Sequence, residues 1–362
     1  MPVENLRVLH VSEVLTGGIA TYLNQLLPLQ RSSFGAGQVG LVAPAEQLTQ
    51  LSAATRSGIC IFPYDRKSRR PDAWWRLHRA VTSSVSDFAP ALIHAHSSFA
   101  GAICRLPAPR KPIVYTPHGW AFDMEASRFF RWGCALIERA LAPSTHAVIC
   151  VSKAERDNAL ARMLPAELLA VVHSGIRDSP IEPVAKSNRP GPIRLLFVGR
   201  FDEQKGLDWL LRVFKQLPCD RFTLQCVGDT VHGAPFKFPA LPNLTVCGWQ
   251  PQDALEEFYD RADAVIMPSR WEAFGFVAVE AMRRGTAVLA SNRGGLPEVI
   301  NEDECGRVFE LEKPRRLIEF LLSTSRAELL SLGQAGRQRF LAHFTSGQMH
   351  RNTVAVYMRA LV

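Results

Sequence analysis

The sequence predicts an α/β protein with two doubly wound, mostly parallel sheets, each in its own domain. Three observations lead there. Short apolar runs alternate with helical patterns along nearly the whole chain, as in successive β-α-β units. The 362 residues exceed a single core of ordinary size. Between the halves, Asp178 to Pro192 reads DSPIEPVAKSNRPGP, a proline-rich polar stretch expected to contain the linker. The expected division is residues 1–180, a linker at 181–192, a second domain at 193–345, and a final helix at 346–362.

In the first half, the apolar run Leu6 to Ser12 is a strand, Glu13 to Gly18 a loop, and Ile19 to Leu27 has helical apolar spacing. The pair Gly17-Gly18 allows a backbone amide to approach a phosphate at the helix start, and equally suits any tight turn. It is not the G-x-G-x-x-G of dinucleotide oxidoreductases, and no acidic residue closes a strand about 20 residues on. Further strands are expected at Val39 to Ala43, Ile59 to Phe62, Leu92 to Ala95, Ile113 to Thr116 and Ala147 to Val151. The segment from Asp65 to Ala80 is the most basic of the chain and holds Trp74 and Trp75. It reads either as a solvated loop and helix with its tryptophans against the sheet, or as an acceptor or membrane surface built from Arg66, Lys67, Arg69, Arg70, Trp74 and Trp75. His94 and His96 close one strand and His118 the next, in YTPHGW. Strand ends gather ligands in such sheets. Without a nearby cysteine or carboxylate, the His94/His96 spacing does not make a metal site, and none is expected. In VICVSKAER, Ser152 and Glu155 have the spacing of a capping box.

The second half opens with the strand Ile193 to Val198, then Gly199, Arg200 and, a short loop later, Lys205 and Gly206. A glycine-lined turn with two cations at a strand end suits a diphosphate, since Arg forks two oxygens and Lys adds a point charge. Strands at Phe222 to Val227 and Leu244 to Cys247 follow. The strand Ala264 to Met267 then runs through a turn into a helix from Phe274 to Arg284, with another strand at Ala287 to Ala290. Glu280 sits in the middle of this apolar helix. A buried carboxylate is costly unless satisfied, either by a local protein donor or by the hydroxyls of a ligand. Glu272 precedes the helix, and the amides of Phe274, Gly275 and Phe276 stand at its positive end. Helices at Ser325 to Phe344 and Ser346 to Leu361 complete the chain.

Composition excludes some classes. The net charge of +8 favours anionic partners. It leans to the N-terminal half, with 19 basic and 14 acidic residues up to Glu182 against 23 and 20 after it. The eight cysteines are scattered singly, mostly in apolar runs, and read as buried thiols in a reducing compartment. With no leader pattern and no long apolar run, a cytoplasmic protein is expected, with membrane contact peripheral at most.

The segment from Ser269 to Pro297, with Glu272, Glu280 and the turn Gly294-Gly295-Leu296-Pro297-Glu298, closely resembles the signature of the retaining glycosyltransferases of family four. Gly199 to Gly206 is similar to that family's phosphate segment, and TPHGW to its H-G segment. VVHSGI, Val171 to Ile176, resembles its N-G-V/I turn with Ser174 in place of Asn. The resemblance runs from the first strand to the C-terminus. It implies the GT-B architecture, two Rossmann-like domains facing a cleft, and a last helix crossing back to the first domain. It implies transfer of a sugar from a nucleotide diphosphate sugar, with retention and without a metal or other cofactor, to a glycan or lipid-linked acceptor, as in cell-surface polysaccharide synthesis. Nucleic acid is not an expected partner. By resemblance His118 and Glu272 act on the donor sugar, Glu280 on the ribose, Arg200 and Lys205 on the diphosphate, with Gly17 and Gly18 near it. A nucleotide-sugar epimerase or hydrolase, or a non-catalytic scaffold of the same architecture, are the alternatives.

Overall fold

The computed structural model describes residues 4–66, 71–106, 111–183, 190–231, 233–301 and 304–362. It divides into two compact units, Met1–Arg177 with Ser346–Val362, and Asp178–Thr345.

The first unit alternates β1 (Val8–Ser12), α1 (Gly17–Phe34), β2 (Val39–Pro44), α2 (Ala53–Arg56), β3 (Cys60–Tyr64), α3 (Pro71–Phe88), β4 (Leu92–His96), α4 (Ser98–Arg105), β5 (Ile113–Thr116), α5 (Arg128–Leu141), β6 (Ala147–Cys150), α6 (Lys153–Ala161) and β7 (Leu169–Val171). The strands form a parallel seven-stranded sheet in the order β3-β2-β1-β4-β5-β6-β7. Val8, Leu9, Val11, Leu92, Ile93 and Ala95 are fully buried, as expected where helices cover both faces of a parallel sheet. β7 was not expected, because its three residues carry too little periodicity to read. α1 continues seven residues past the expected end at Leu27, through Pro28. Proline removes one amide bond and normally stops a helix, but Leu26, Leu27, Pro28, Gln30 and Phe34 are all buried, and packing outweighs the local preference.

The second unit contains β8 (Ile193–Val198), α7 (Leu207–Phe214), β9 (Phe222–Val227), β10 (Leu244–Gly248), α8 (Gln252–Arg261), β11 (Ala264–Met267), α9 (Phe276–Arg283), β12 (Ala287–Ser291), α10 (Leu296–Ile300), β13 (Gly306–Phe309), α11 (Pro314–Ser323) and α12 (Arg326–His343). Its parallel sheet has the order β10-β9-β8-β11-β12-β13. The strand order therefore reverses between β8 and β11, and in such sheets the crevice beside that reversal is where ligands bind. α9 starts at Phe276, two residues later than expected, because Gly275 has a left-handed backbone and cannot be its first turn. The last helix, α13 (Ser346–Ala360), packs on α1 and belongs to the first unit.

The stretch expected as linker is anchored at its start. Arg337 grips the Asp178 carboxylate at 2.6 and 2.8 Å, and Arg284 donates to the carbonyls of Ile181 and Glu182. Residues 184–189 lie outside the described residues. All eight thiols are free, but Cys219 is exposed and Cys60, Cys134 and Cys247 only half-buried, so burial holds for Cys104, Cys150, Cys226 and Cys305 alone. Cys219 sits in the loop between α7 and β9.

Candidate functional site

In the second unit three turns meet at the carboxyl ends of β8 and β11. The turn after β8 carries Arg200 and Lys205; the turn after β11 carries Glu272; the third is Gly294-Gly295. Their backbones touch. Gly206 has φ +70, and a Cβ there would stand 2.0 Å from the Pro268 carbonyl oxygen. Gly294 has φ +54, and its Cβ would stand 1.7 Å from the Glu272 carbonyl oxygen. Only glycine fits either place. The Gly295 amide donates to that same Glu272 carbonyl at 3.1 Å, and the Arg270 amide to the Gln204 carbonyl at 2.8 Å.

This packing brings Lys205 and Glu272 together, 67 residues apart in sequence, with Nζ and Oε2 separated by 2.5 Å. Arg200 pairs with Asp202 at 2.9 Å and donates to Gln204 at 2.6 Å. Gln204 in turn donates to the Trp271 carbonyl. Both cations are thus matched by carboxylates at a strand-order reversal, and an entering anion would compete with Asp202 and Glu272 for them. Glu280 lies on α9, 6% exposed. Its Oε2 accepts from the Tyr259 hydroxyl at 2.7 Å and its Oε1 from Gln252 at 3.2 Å. Of the two ways to satisfy this carboxylate, the local donors are present. Each carboxylate oxygen keeps a further lone pair for a ligand hydroxyl. Burial raises the Glu280 pKa, with the Tyr259 hydrogen bond and the charges of Arg283 and Lys205 opposing. Phe274 is buried, its ring edge-on to Phe276 with centroids 5.6 Å apart. The other two aspartates near this region are structural. Asp260 ion-pairs with Arg284, and Asp263 with Arg326.

In the first unit, Gly17 and Gly18 are exposed at the start of α1, and Gly17 has φ +58 with open space around it. His118 follows β5 with a left-handed backbone, φ +55, rare for a side chain with a Cβ. The Glu155 carboxylate holds this turn, accepting from the Gly119 amide and the Val151 amide at 2.6 Å each. Ser152 caps α6 as expected, accepting from the Glu155 amide at 3.1 Å. The Glu155 side chain accepts from the Val151 amide just before the cap and reaches across to the histidine turn. Burial pushes its pKa up to about 7 against those two amide bonds. Behind His118, His10, His94 and His96 are fully buried, with a ring nitrogen of each within 4.8 Å of the others. His10 was missed. An imidazole inside the apolar run VLHVS was a signal of the same kind as Glu280.

Of the expected basic surface, Arg66, Trp74 and Trp75 fall within the described residues. Lys67, Arg69 and Arg70 lie outside the described residues. Arg66 is ion-paired to Glu13 at 3.1 Å and mostly covered, so its charge is neutralised rather than presented. Trp74 and Trp75 are 42% and 72% exposed, which removes the reading that they pack on the sheet. Trp74 stands edge-on to Phe99 of α4, at 4.6 Å. Nearby in the fold, α5 exposes Phe129 (87%), Phe130, Trp132, Leu136 and Ile137, with exposed Arg128 and Arg139. Ala135, Glu138 and Leu141 form its buried face. No helix among the described residues is long and apolar enough to cross a membrane.

Known proteins agree with this fold. The sequence profile of the glycosyl transferases group 1 matches residues 180–339, and that of Glycosyltransferase Family 4 matches residues 16–179. The chain is 30% identical over 330 residues to an uncharacterized 41.2 kDa protein in the cps region of Klebsiella pneumoniae, covering 87% of this chain and 89% of that one. It is 29% identical over 353 residues to the alpha-maltose-1-phosphate synthase of Mycolicibacterium smegmatis, covering 84% and 89%. Among solved structures, sucrose-phosphate synthase from Thermosynechococcus elongatus superposes with a TM-score of 0.77 at 20% identity, over 97% and 98% of the chains. Anabaena HepE in complex with UDP-glucose superposes with a TM-score of 0.77 at 17% identity, over 98% and 99%. With two parallel α/β units, matching profiles across both and a relative of this identity over most of its length, the chain belongs to the GT-B glycosyltransferases of group 1.

Proposed function

We propose that this glycosyltransferase moves a sugar, with retention of anomeric configuration, from a nucleotide diphosphate sugar to a hydroxyl of a glycan or lipid-linked acceptor in cell-surface polysaccharide synthesis. The observation that carries this is the arrangement of Arg200, Lys205 and Glu272 at the reversal between β8 and β11. Arg200 and Lys205 bind the diphosphate and stabilise its charge as it leaves, the work a divalent cation does elsewhere. Lys205 then exchanges Glu272 for phosphate, and Glu272 is released to accept from sugar hydroxyls. Glu280 takes the ribose, with Tyr259 and Gln252 fixing its orientation. Phe274, Gly275 and Phe276 line the sugar end; in the first unit, His118, Gly17 and Gly18 are the candidate substrate residues. The transfer is same-face, assisted by the leaving phosphate, rather than through a covalent intermediate. A sugar-phosphate synthase among the relatives and a UDP-glucose complex among the similar structures support a nucleotide-sugar donor. The cps-region relative supports the polysaccharide role.

The acceptor is carried on an anionic membrane, where α3 and α5 dock through Trp74, Trp75, Phe129 and Trp132 with Arg128 and Arg139 beside them. Each basic residue near such a surface contributes about 1 kcal/mol. Arg128→Glu/Arg139→Glu should abolish co-sedimentation with anionic vesicles at low salt; binding that ignores lipid charge and this double change would point to a soluble acceptor.

A panel of nucleotide sugars, with and without acceptor glycans and with EDTA, tests the function. Acceptor-dependent release of nucleotide diphosphate that survives EDTA is expected. Release without acceptor would indicate a hydrolase or epimerase, no release with any donor a scaffold, and loss in EDTA restored by Mn²⁺ or Mg²⁺ a metal-dependent enzyme.

A further inference from the structure

A single hydrogen-bonded chain runs through the buried centre of the first unit and ends at His118. Its members come from five separate elements. His118 Nε2 lies 3.0 Å from His96 Nδ1, and His96 Nε2 lies 2.9 Å from His10 Nδ1. His10 Nε2 is 2.6 Å from Gln30 Oε1, and Gln30 Nε2 is 3.0 Å from the Tyr357 hydroxyl on α13. That hydroxyl is 2.6 Å from His94 Nδ1, whose Nε2 is 2.8 Å from the Thr116 hydroxyl. All of these residues except His118 are fully buried. The rings are also packed on one another, with His10 and His96 stacked at 5.2 Å and His96 and His118 at 5.3 Å.

A neutral imidazole has one N–H and one bare nitrogen, so each contact constrains the next. The Gln30 carbonyl oxygen can only accept, which places the His10 proton on Nε2. His10 Nδ1 is then bare and must accept from His96 Nε2–H, which leaves His96 Nδ1 to accept from His118 Nε2–H. On the other side, the Gln30 amide donates to Tyr357, Tyr357 donates to His94 Nδ1, and His94 Nε2–H donates to Thr116. Every nitrogen is used once and every bond has one donor. The opposite polarity requires the Gln30 amide turned over, with nitrogen facing His10 at 2.6 Å, shorter than an N–H···N contact accommodates.

We infer that this chain, from Tyr357 through Gln30, His10 and His96, fixes His118 as the neutral Nε2–H tautomer and so presents its Nδ1 as a hydrogen-bond acceptor toward a hydroxyl of the substrate. His96, His10, Gln30 and Tyr357 are positioning residues, and His118 is the member that meets the ligand. The role of His118 rests on the proposed transferase function, but its tautomer does not. Burial supports neutrality throughout, lowering His10 to about 4 and His118 to about 3, and His94 and His96 well below the ordinary histidine value. The chain also accounts for the three clustered imidazoles without a metal, since all six of their ring nitrogens already have a protein partner.

The test is nitrogen NMR on the intact protein with labelled histidine, at neutral pH, with His118 assigned by comparison with His118→Ala. A bare Nδ1 and a protonated Nε2 are expected at His118. Tyr357→Phe and His96→Gln should mix the tautomers, and with the right donor and acceptor each should lower kcat by about tenfold while the donor KM stays within about twofold. Two variants at distant points guard against one that fails to fold. An Nδ1–H tautomer or a cationic ring at His118 in the wild type overturns the inference, as does a tautomer unchanged in both folded variants. Stoichiometric zinc in the purified protein, lost in His10→Ala, would show that the imidazoles ligate a metal and would overturn it too. An inactive protein with the expected tautomer would count against the transferase function alone.

Discussion

Acidification should loosen the first unit while sparing the second. His10 is neutral in the fold down to about 4, because burial penalises its charged form more than the Gln30 bond supports it. In the unfolded chain a histidine protonates near 6.5. A lowered histidine pKa contributes stability that is present above 6.5 and lost as the pH falls, here about 2 kcal/mol by pH 5. Glu155 acts in the opposite sense. Its pKa is raised to about 7, so the fold gains as the pH falls from 7 toward 4.5, by about 2 kcal/mol at pH 5. These two nearly cancel. His94 and His96 decide the sign, since burial and neighbouring imidazoles lower both well below the ordinary value. The expected result is a net loss of stability between pH 7.5 and 5. In the second unit Glu280 is raised by burial, so acid should leave that unit unchanged or firmer. Hydrogen exchange followed by mass spectrometry, corrected for intrinsic rates, reads the two units separately. Protection of β1 and β4 should fall with pH while that of β8 and β11 holds. Protection of β1 and β4 that is constant or rises toward pH 5 would show that the histidines take up protons in the folded state, and the reasoning would be wrong.

Three further outcomes follow from named contacts. Gly294→Ala places a Cβ against the Glu272 carbonyl at a left-handed position, and should weaken binding of a nucleotide sugar at least tenfold while calorimetric melting of the first unit is unchanged. Glu280→Gln should cost about tenfold in affinity for the bare nucleotide diphosphate, and Glu272→Gln should bind it normally yet turn over the sugar donor poorly; calorimetry giving one pattern for both would remove the division of roles. Arg105 is buried between Glu138 at 2.8 Å and the Tyr115 ring, so Glu138→Ala leaves an unpaired buried cation and should cost about 3–5 kcal/mol in denaturant unfolding, far more than breaking the exposed Arg261–Glu257 pair.

The α/β class, the parallel sheets and the positions of Arg200, Lys205, Glu272 and Glu280 were legible in the sequence. Those features are local: an apolar run long enough for a strand, a glycine turn after it, a carboxylate standing alone in an apolar helix. Motif spacing determined the family for the same reason, since the signature from Glu272 to Glu298 is one continuous piece of chain. The folded structure was needed for what depends on residues distant in sequence. It joined Lys205 to Glu272, gave Glu280 its partners Tyr259 and Gln252, and turned Glu155 from a helix cap into the support of the His118 turn. It also brought His10, His94, His96 and Tyr357 into contact, which no periodicity encodes, because strands β1 and β4 become neighbours only through the order of the sheet. The outward face of α5 was equally hidden. Its apolar spacing is that of any amphipathic helix, and only the packing shows which side the core leaves uncovered.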